Sequence, residues 1–274
     1  MNNISIHIDS LGPIRNADID IRPLMIFTGE SGLGKSYLAC LANYTYALLS
    51  KGNGRLMDYF SEVDFSTLLD GKKSGDVIFS ITTSDLFNWI NRDAIHYIGY
   101  MIGNPTIEGK VNISWPFSED KIDFKYHESL TGLDNNEKTV YRFSSDNFNF
   151  NSEERVVSAS ILTTLIQAEF IKSIDYTPLK FISNYILPPS RGALMEIQEI
   201  PTFRSGMFYE FFKLKSDIAR PIESPREQDA ILTNLLSRIN DGTISLTNDN
   251  LTYTTHSGHQ MPLSAAASSI KELA

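Results

Sequence analysis

One run of eight residues constrains this chain more than any other: Gly29-Glu30-Ser31-Gly32-Leu33-Gly34-Lys35-Ser36. It has the complete form G-x-x-x-x-G-K-[ST], a pattern whose spacing has a mechanical reason. Glycines at 29, 32 and 34 let backbone N–H groups turn inward around an anion. Lys35 can then reach terminal phosphates, and the Ser36 hydroxyl is placed to hold Mg²⁺. The run also sits in the right context. Leu24-Met25-Ile26-Phe27-Thr28 before it reads as a buried strand, and a helical run begins at Tyr37. A helix starting at about Lys35 adds its positive end to the cradle. Strand, loop and helix in this order predict an α/β fold of the P-loop type that binds a nucleoside triphosphate, with ATP and Mg²⁺ as the ligands. The predicted contact set is Gly29, Glu30, Ser31, Gly32, Leu33, Gly34, Lys35, Ser36 and Tyr37.

Bulk properties exclude several alternatives. With 42% hydrophobic and 11% aromatic residues among 274, the chain can bury a core and is not disordered. A net charge of −9 and a pI near 5.1 argue against coating nucleic acid by bulk electrostatics. Apolar runs fall far short of the ~20 residues of a membrane span, and Met1-Asn2-Asn3-Ile4 lacks the features of a signal peptide. The single cysteine, Cys40, cannot form an internal disulfide and reads as a packed core thiol. These features predict a cytoplasmic protein.

Along the chain, Ile4–Ile8 and Ala17–Ile21 alternate like half-buried strands around the turn Leu11-Gly12-Pro13, and a buried helix is expected over about 35–50. Residues 55–150 read as an α+β insertion. Ser84-Asp85 opens a helix that Gly103-Asn104-Pro105 ends, and strands follow at Val111–Trp115, Ile122–Tyr126 and Thr139–Phe143. The Trp89 and Tyr97 stripe reads as core packing rather than a base-stacking platform. Ser152-Glu153-Glu154 begins a second long helix running to about Ser173, and Phe181–Leu187 reads as a buried strand ending in Pro188-Pro189-Ser190-Arg191. A mostly helical stretch then leads to a hairpin, Thr243–Leu246 with Leu251–Thr255. The expected division is 1–54, a nucleotide-binding core; 55–150, the insertion; 151–191, a core helix and strand; and 192–274, a helical lobe, hairpin and terminal segment.

These pieces resemble the bacterial ATPases with an ABC-type head, the group that includes the RecF, SMC and overcoming-lysogenization-defect families. The resemblance rests on Leu11-Gly12-Pro13-Ile14-Arg15-Asn16-Ala17 ahead of the loop, on Tyr185-Ile186-Leu187-Pro188-Pro189-Ser190-Arg191, and on Pro262-Leu263-Ser264-Ala265-Ala266-Ala267-Ser268-Ser269. It implies an ABC-type fold with an antiparallel β start, and Arg15 touching the nucleotide. It also implies Ser264, Ser268 and Ser269 as a signature segment facing the partner subunit's nucleotide. By the same resemblance the protein is a homodimer or larger assembly that switches or clamps an effector, such as a nuclease or toxin, or DNA, with antiphage defence or DNA repair as its setting.

One element departs from that pattern. No apolar run followed by Asp-Glu occurs in the sequence, so the carboxylate that would order Mg²⁺ and the attacking water is unassigned. His256 and His259 precede the signature-like segment and read as turn or surface residues. The chain is therefore expected to be either the front part of a longer ATPase or a natural half completed by a second polypeptide, the abrupt end inside a helical run favouring the former. The alternative function is a nucleotide-dependent sensor that binds ATP without hydrolysing it.

Overall fold

The computed structural model describes residues 3–22, 24–50, 54–117, 119–131, 138–174, 206–211, 242–247, 250–262 and 265. The chain divides into two compact units, Met1–Asn184 and Tyr185–Ala274. Its class is mixed α/β, and every described strand pair is antiparallel.

The first unit opens with β1 (Ser5–Leu11) and β2 (Ile14–Asp20), a hairpin closed by the expected turn. Alternation sends Ile4, Ile6, Ile8 and Leu11 into the core, while His7 and Asp18 pair on the opposite face. The third strand of this sheet is β4 (Gly109–Ser114), which pairs with β1 and gives the order β2-β1-β4. Part of the stretch read as an insertion is thus built into the opening sheet. Pattern alone could not reveal this, because strand partners about a hundred residues apart leave no local trace.

The expected buried strand at 24–28 is a correction. Those residues form no strand, and Leu24 and Ile26 are 80% and 78% exposed. An apolar run is buried on both faces only when neighbouring strands flank it. Among the described residues none pairs with this one.

Helix α1 (Lys35–Leu49) follows the glycine loop as expected. It buries Leu41, Tyr44, Ala47, Leu48 and Leu49, each large aliphatic contributing on the order of 1.5–3 kcal/mol of transfer free energy. Its neighbours are helices rather than a sheet. After the short α2 (Arg55–Asp58) and β3 (Val77–Thr82) comes α3 (Thr83–Ile102), and α1 packs on it. The cap of α3 is Thr82, whose hydroxyl accepts from Asp85 N–H, two residues before the expected start; Gly103 ends the helix in the left-handed region, at φ 72°.

The second sheet runs β3-β5-β6-β7, from β5 (Lys121–Thr131), β6 (Lys138–Ser144) and β7 (Asn149–Ser152). Its buried face carries Ile81, Ile122, Phe124, Tyr126 and Phe143. Ser152-Glu153-Glu154 does not start a helix. Ser152 belongs to β7, and α4 (Ala159–Ser173) begins after Ser158, whose hydroxyl accepts from Ile161 N–H. A capping hydroxyl needs free N–H groups two or three residues ahead, and the pairing of Tyr141 with Ser152 commits the earlier serine to the sheet. α4 is buried over most of its length, and two of its buried polar residues have partners while the Thr163 hydroxyl has none among the described residues. Glu169 accepts from Ser145 and Asn147, and Gln167 donates to the carbonyls of Leu48 at 2.9 Å and Ser50 at 3.2 Å.

In the second unit, residues 206–211 are helical, and β8 (Gly242–Thr247), β9 (Asn250–Thr255) and β10 (Gln260–Pro262) form a sheet in the order β10-β9-β8. The expected hairpin is present, with β10 added to it. No described helix is long and apolar enough to cross a membrane.

Candidate functional site

The glycine loop projects from the first unit. Residues 28–33 are exposed, Gly34 is buried and Lys35 half-buried. All three of its glycines take positive φ: 139° at Gly29, 85° at Gly32 and 91° at Gly34. Those values favour glycine, because a Cβ would collide with the backbone. Gly34 is also the N-cap of α1, with no side-chain cap and no acidic residue in the first helical turn. The first turn of α1 therefore carries no carboxylate of its own to meet its leading N–H groups.

Lys35 ties the loop together. Its ammonium donates to the carbonyl of Gly29 at 2.9 Å and of Glu30 at 2.6 Å. An ammonium has three donors, so these two bonds close the loop into a ring and leave one N–H for an anion inside it. The Ser36 side chain is exposed beside it, able to offer an oxygen to a hard cation. Glu30 contributes its carbonyl to Lys35, and its side chain is exposed, as are Ser31 and Leu33.

The hairpin turn is wedged against this loop. A Cβ on Gly34 would sit 2.7 Å from Ile14 Cγ1 and 3.1 Å from Pro13 Cγ, and one on Gly12 would sit 2.8 Å from the Tyr37 ring. The turn and the start of α1 thus interlock through two glycines. Arg15 bends back over its own turn, where Nη1 donates to the carbonyls of Gly12 and Ile14. The turn therefore brings Arg15 to the same end of α1 as Lys35 and Ser36.

The chain matches no known family, curated protein or solved structure. The site therefore stands on its own geometry.

Ser264, Ser268 and Ser269, with Pro188–Arg191, fall outside the described residues. His256 and His259 are exposed around a turn, where the His259 N–H donates to Thr255 Oγ1. Tyr97 is buried beside Tyr44, as read, whereas Trp89 packs edge-on against Tyr59 and is half-buried, on the wall of a surface groove. Cys40 is buried, and that burial pushes its thiol up to about 11, away from reactivity. Among the described residues no group of three His, Cys, Asp or Glu could hold a metal ion. Among the described residues one surface groove lies over His127 and Arg142 and another between Tyr59 and Trp89, and neither is lined by a residue of the loop.

Sequence reasoning missed the buried polar cluster behind α1. The Tyr44 hydroxyl bonds the Asp93 carboxylate at 2.9 Å and lies 3.2 Å from the Ile90 carbonyl. Arg55 forks onto both oxygens of Asp93, Nε at 3.1 Å, and its guanidinium lies 5.4 Å from the centre of the Tyr97 ring. The Tyr97 hydroxyl bonds Asn43. Burial, followed by the negative charge of Asp93, raises the Tyr44 phenol well above its ordinary range. The one local signal is Asp93 inside an apolar helical stripe.

Proposed function

We propose that this chain binds Mg·ATP at Gly29–Ser36 and serves as the nucleotide-binding part of an ABC-type ATPase head. The observation that carries the reading is the ring closed by Lys35: three positive-φ glycines, two carbonyls held by one ammonium, and an uncapped helix start behind them. In that arrangement the remaining N–H of Lys35 and the first amides of α1 would meet the β- and γ-phosphates. The Ser36 hydroxyl would be a ligand of Mg²⁺, whose other ligands would be phosphate oxygens and water. Bound magnesium would neutralise charge on those oxygens. Arg15, next in the chain to the Ile14 that lies against Gly34, would add a cation on the nucleotide side of the turn.

The sequence resemblance extends the proposal to a head that dimerises around nucleotide, with Ser264, Ser268 and Ser269 facing the partner's phosphates, and that clamps or switches an effector or DNA. A second reading, a sensor that holds ATP without turning it over, is favoured by one observation: no apolar run in the sequence ends in Asp-Glu.

Calorimetric titration with Mg·ATP tests the binding reading. The wild type is expected to bind, and Lys35→Ala to lose binding while melting as the wild type does. The lost charge-assisted bond alone is worth about 1.5–3 kcal/mol. Wild-type affinity in Lys35→Ala, or no binding by the wild type, overturns it.

A further inference from the structure

A helix that aims two side chains at a ligand must be fixed in rotation as well as in position. Apolar packing holds position well, but hydrogen bonds are directional and set an azimuth. α1 is fixed at its start by the interlocked glycines and at its end by Gln167, which occupies the carbonyls of Leu48 and Ser50. Between these ends stand Asn43 and Tyr44, which bond Tyr97 and Asp93 of α3. Asn43 lies two turns beyond Ser36 on the same face, about 10 Å along the axis.

From this arrangement we infer that Asp93, with Tyr44 and Arg55, is a positioning group for the phosphate loop: it sets the rotation of α1 and so the aim of Lys35 and Ser36. The inference rests on the reading of the loop as a phosphate site. Burying an ion pair is poor value for stability alone, since well-packed apolar residues of similar volume commonly do as well or better. What the pair supplies is register. Asp93 is 9% exposed, and its carboxylate accepts from Tyr44 and from two nitrogens of Arg55. Arg55 in turn lies against the ring of Tyr97, which bonds the neighbouring Asn43. Two adjacent residues of α1 are therefore held from one side by one cluster. A slip of about 20° about the axis would carry a side chain at ~5–6 Å radius through roughly 2 Å. That is enough to take an ammonium out of hydrogen-bond range of a phosphate.

The test separates aim from stability. The triple variant Tyr44→Phe, Arg55→Met, Asp93→Leu replaces the cluster with apolar groups of similar volume. Thermal melting and titration with Mg·ATP and with magnesium pyrophosphate are then compared with the wild type. Pyrophosphate reads the phosphate cradle without a base. The expected result is a melting temperature close to wild type with affinity for both ligands reduced ~10-fold or more, the size of effect that misplacement of about 1 Å can produce. Wild-type affinity for both in the folded variant overturns the inference.

If the triple variant fails to fold, Tyr44→Phe alone decides, since it keeps the ring and removes one hydroxyl. It should bind both ligands ~3-fold more weakly, in keeping with a single lost hydrogen bond. Unchanged affinity there also overturns the inference. A wild type that binds neither ligand instead removes the phosphate-site reading itself, and is seen in the same titration.

Discussion

Gly34→Ala isolates the geometry on which the loop depends. At φ 91° an L-residue is strained by about 1–2 kcal/mol. The new methyl would also meet Ile14 Cγ1 at 2.7 Å, Ile14 Cδ1 at 3.0 Å and Pro13 Cγ at 3.1 Å, a clash in a packed turn worth a further ~1–3 kcal/mol. Lower chain entropy in the unfolded state returns ~0.4–1 kcal/mol, leaving a net loss of about 2–4 kcal/mol. Gly32→Ala is the internal control. Its φ is 85°, but nothing lies within 4 Å of the added methyl, so only the backbone strain applies. Its expected loss is roughly 0.5–1.5 kcal/mol. Urea unfolding of both variants reads the difference, and in a unit of this size each kcal/mol shifts melting by ~2–4 °C. Adding Ile14→Ala to Gly34→Ala should recover part of the loss, with a coupling of about 1 kcal/mol. Equal losses at Gly32 and Gly34, with no coupling to Ile14, would refute the interlock of turn and loop.

Three further outcomes follow from the same structure. At saturating Mg·ATP this chain should release phosphate far below 1 s⁻¹, because no Asp-Glu follows an apolar run; turnover of ~1 s⁻¹ or faster, within the usual enzyme range, would mean another carboxylate does that work. The His7 ring, bonded to Asp18 at 2.7 Å, should titrate above 6.5 by NMR and fall back towards that value in Asp18→Asn. Because its folded value is raised, its small stabilisation is complete below about 6.5 and fades as pH climbs through the folded value. Cys40 should react with a thiol reagent at pH 8 no faster than the first unit opens, and fast labelling of the folded protein would contradict its burial.

What the sequence made legible was local. The loop carries its chemistry in consecutive residues, and the hairpins at 5–20 and 242–255 announce themselves by alternation around turns. The start of α4 was misread because Ser152-Glu153-Glu154 and Ser158 both look like caps, and only sheet pairing by Tyr141 removes the first. The run at 24–28 was misread because apolar content speaks of burial only when a neighbour exists to provide it. The cluster of Tyr44, Arg55 and Asp93 was invisible for a different reason. It joins three helices across as many as 49 residues, and no spacing rule connects them.

The pairing of β1 with β4 bears on how the chain is made. The hairpin of β1 and β2 can close as soon as it leaves the ribosome, but Ser5 waits for Ser114. At ordinary rates of synthesis of ~5–20 residues per second, about a hundred further residues take roughly 5–20 s. Until then one edge of the hairpin is bare, and Ile4, Ile6 and Ile8, buried in the finished fold, lack the strand that flanks them. The hairpin against which the glycine loop is wedged therefore completes its sheet only after about a hundred further residues have been made.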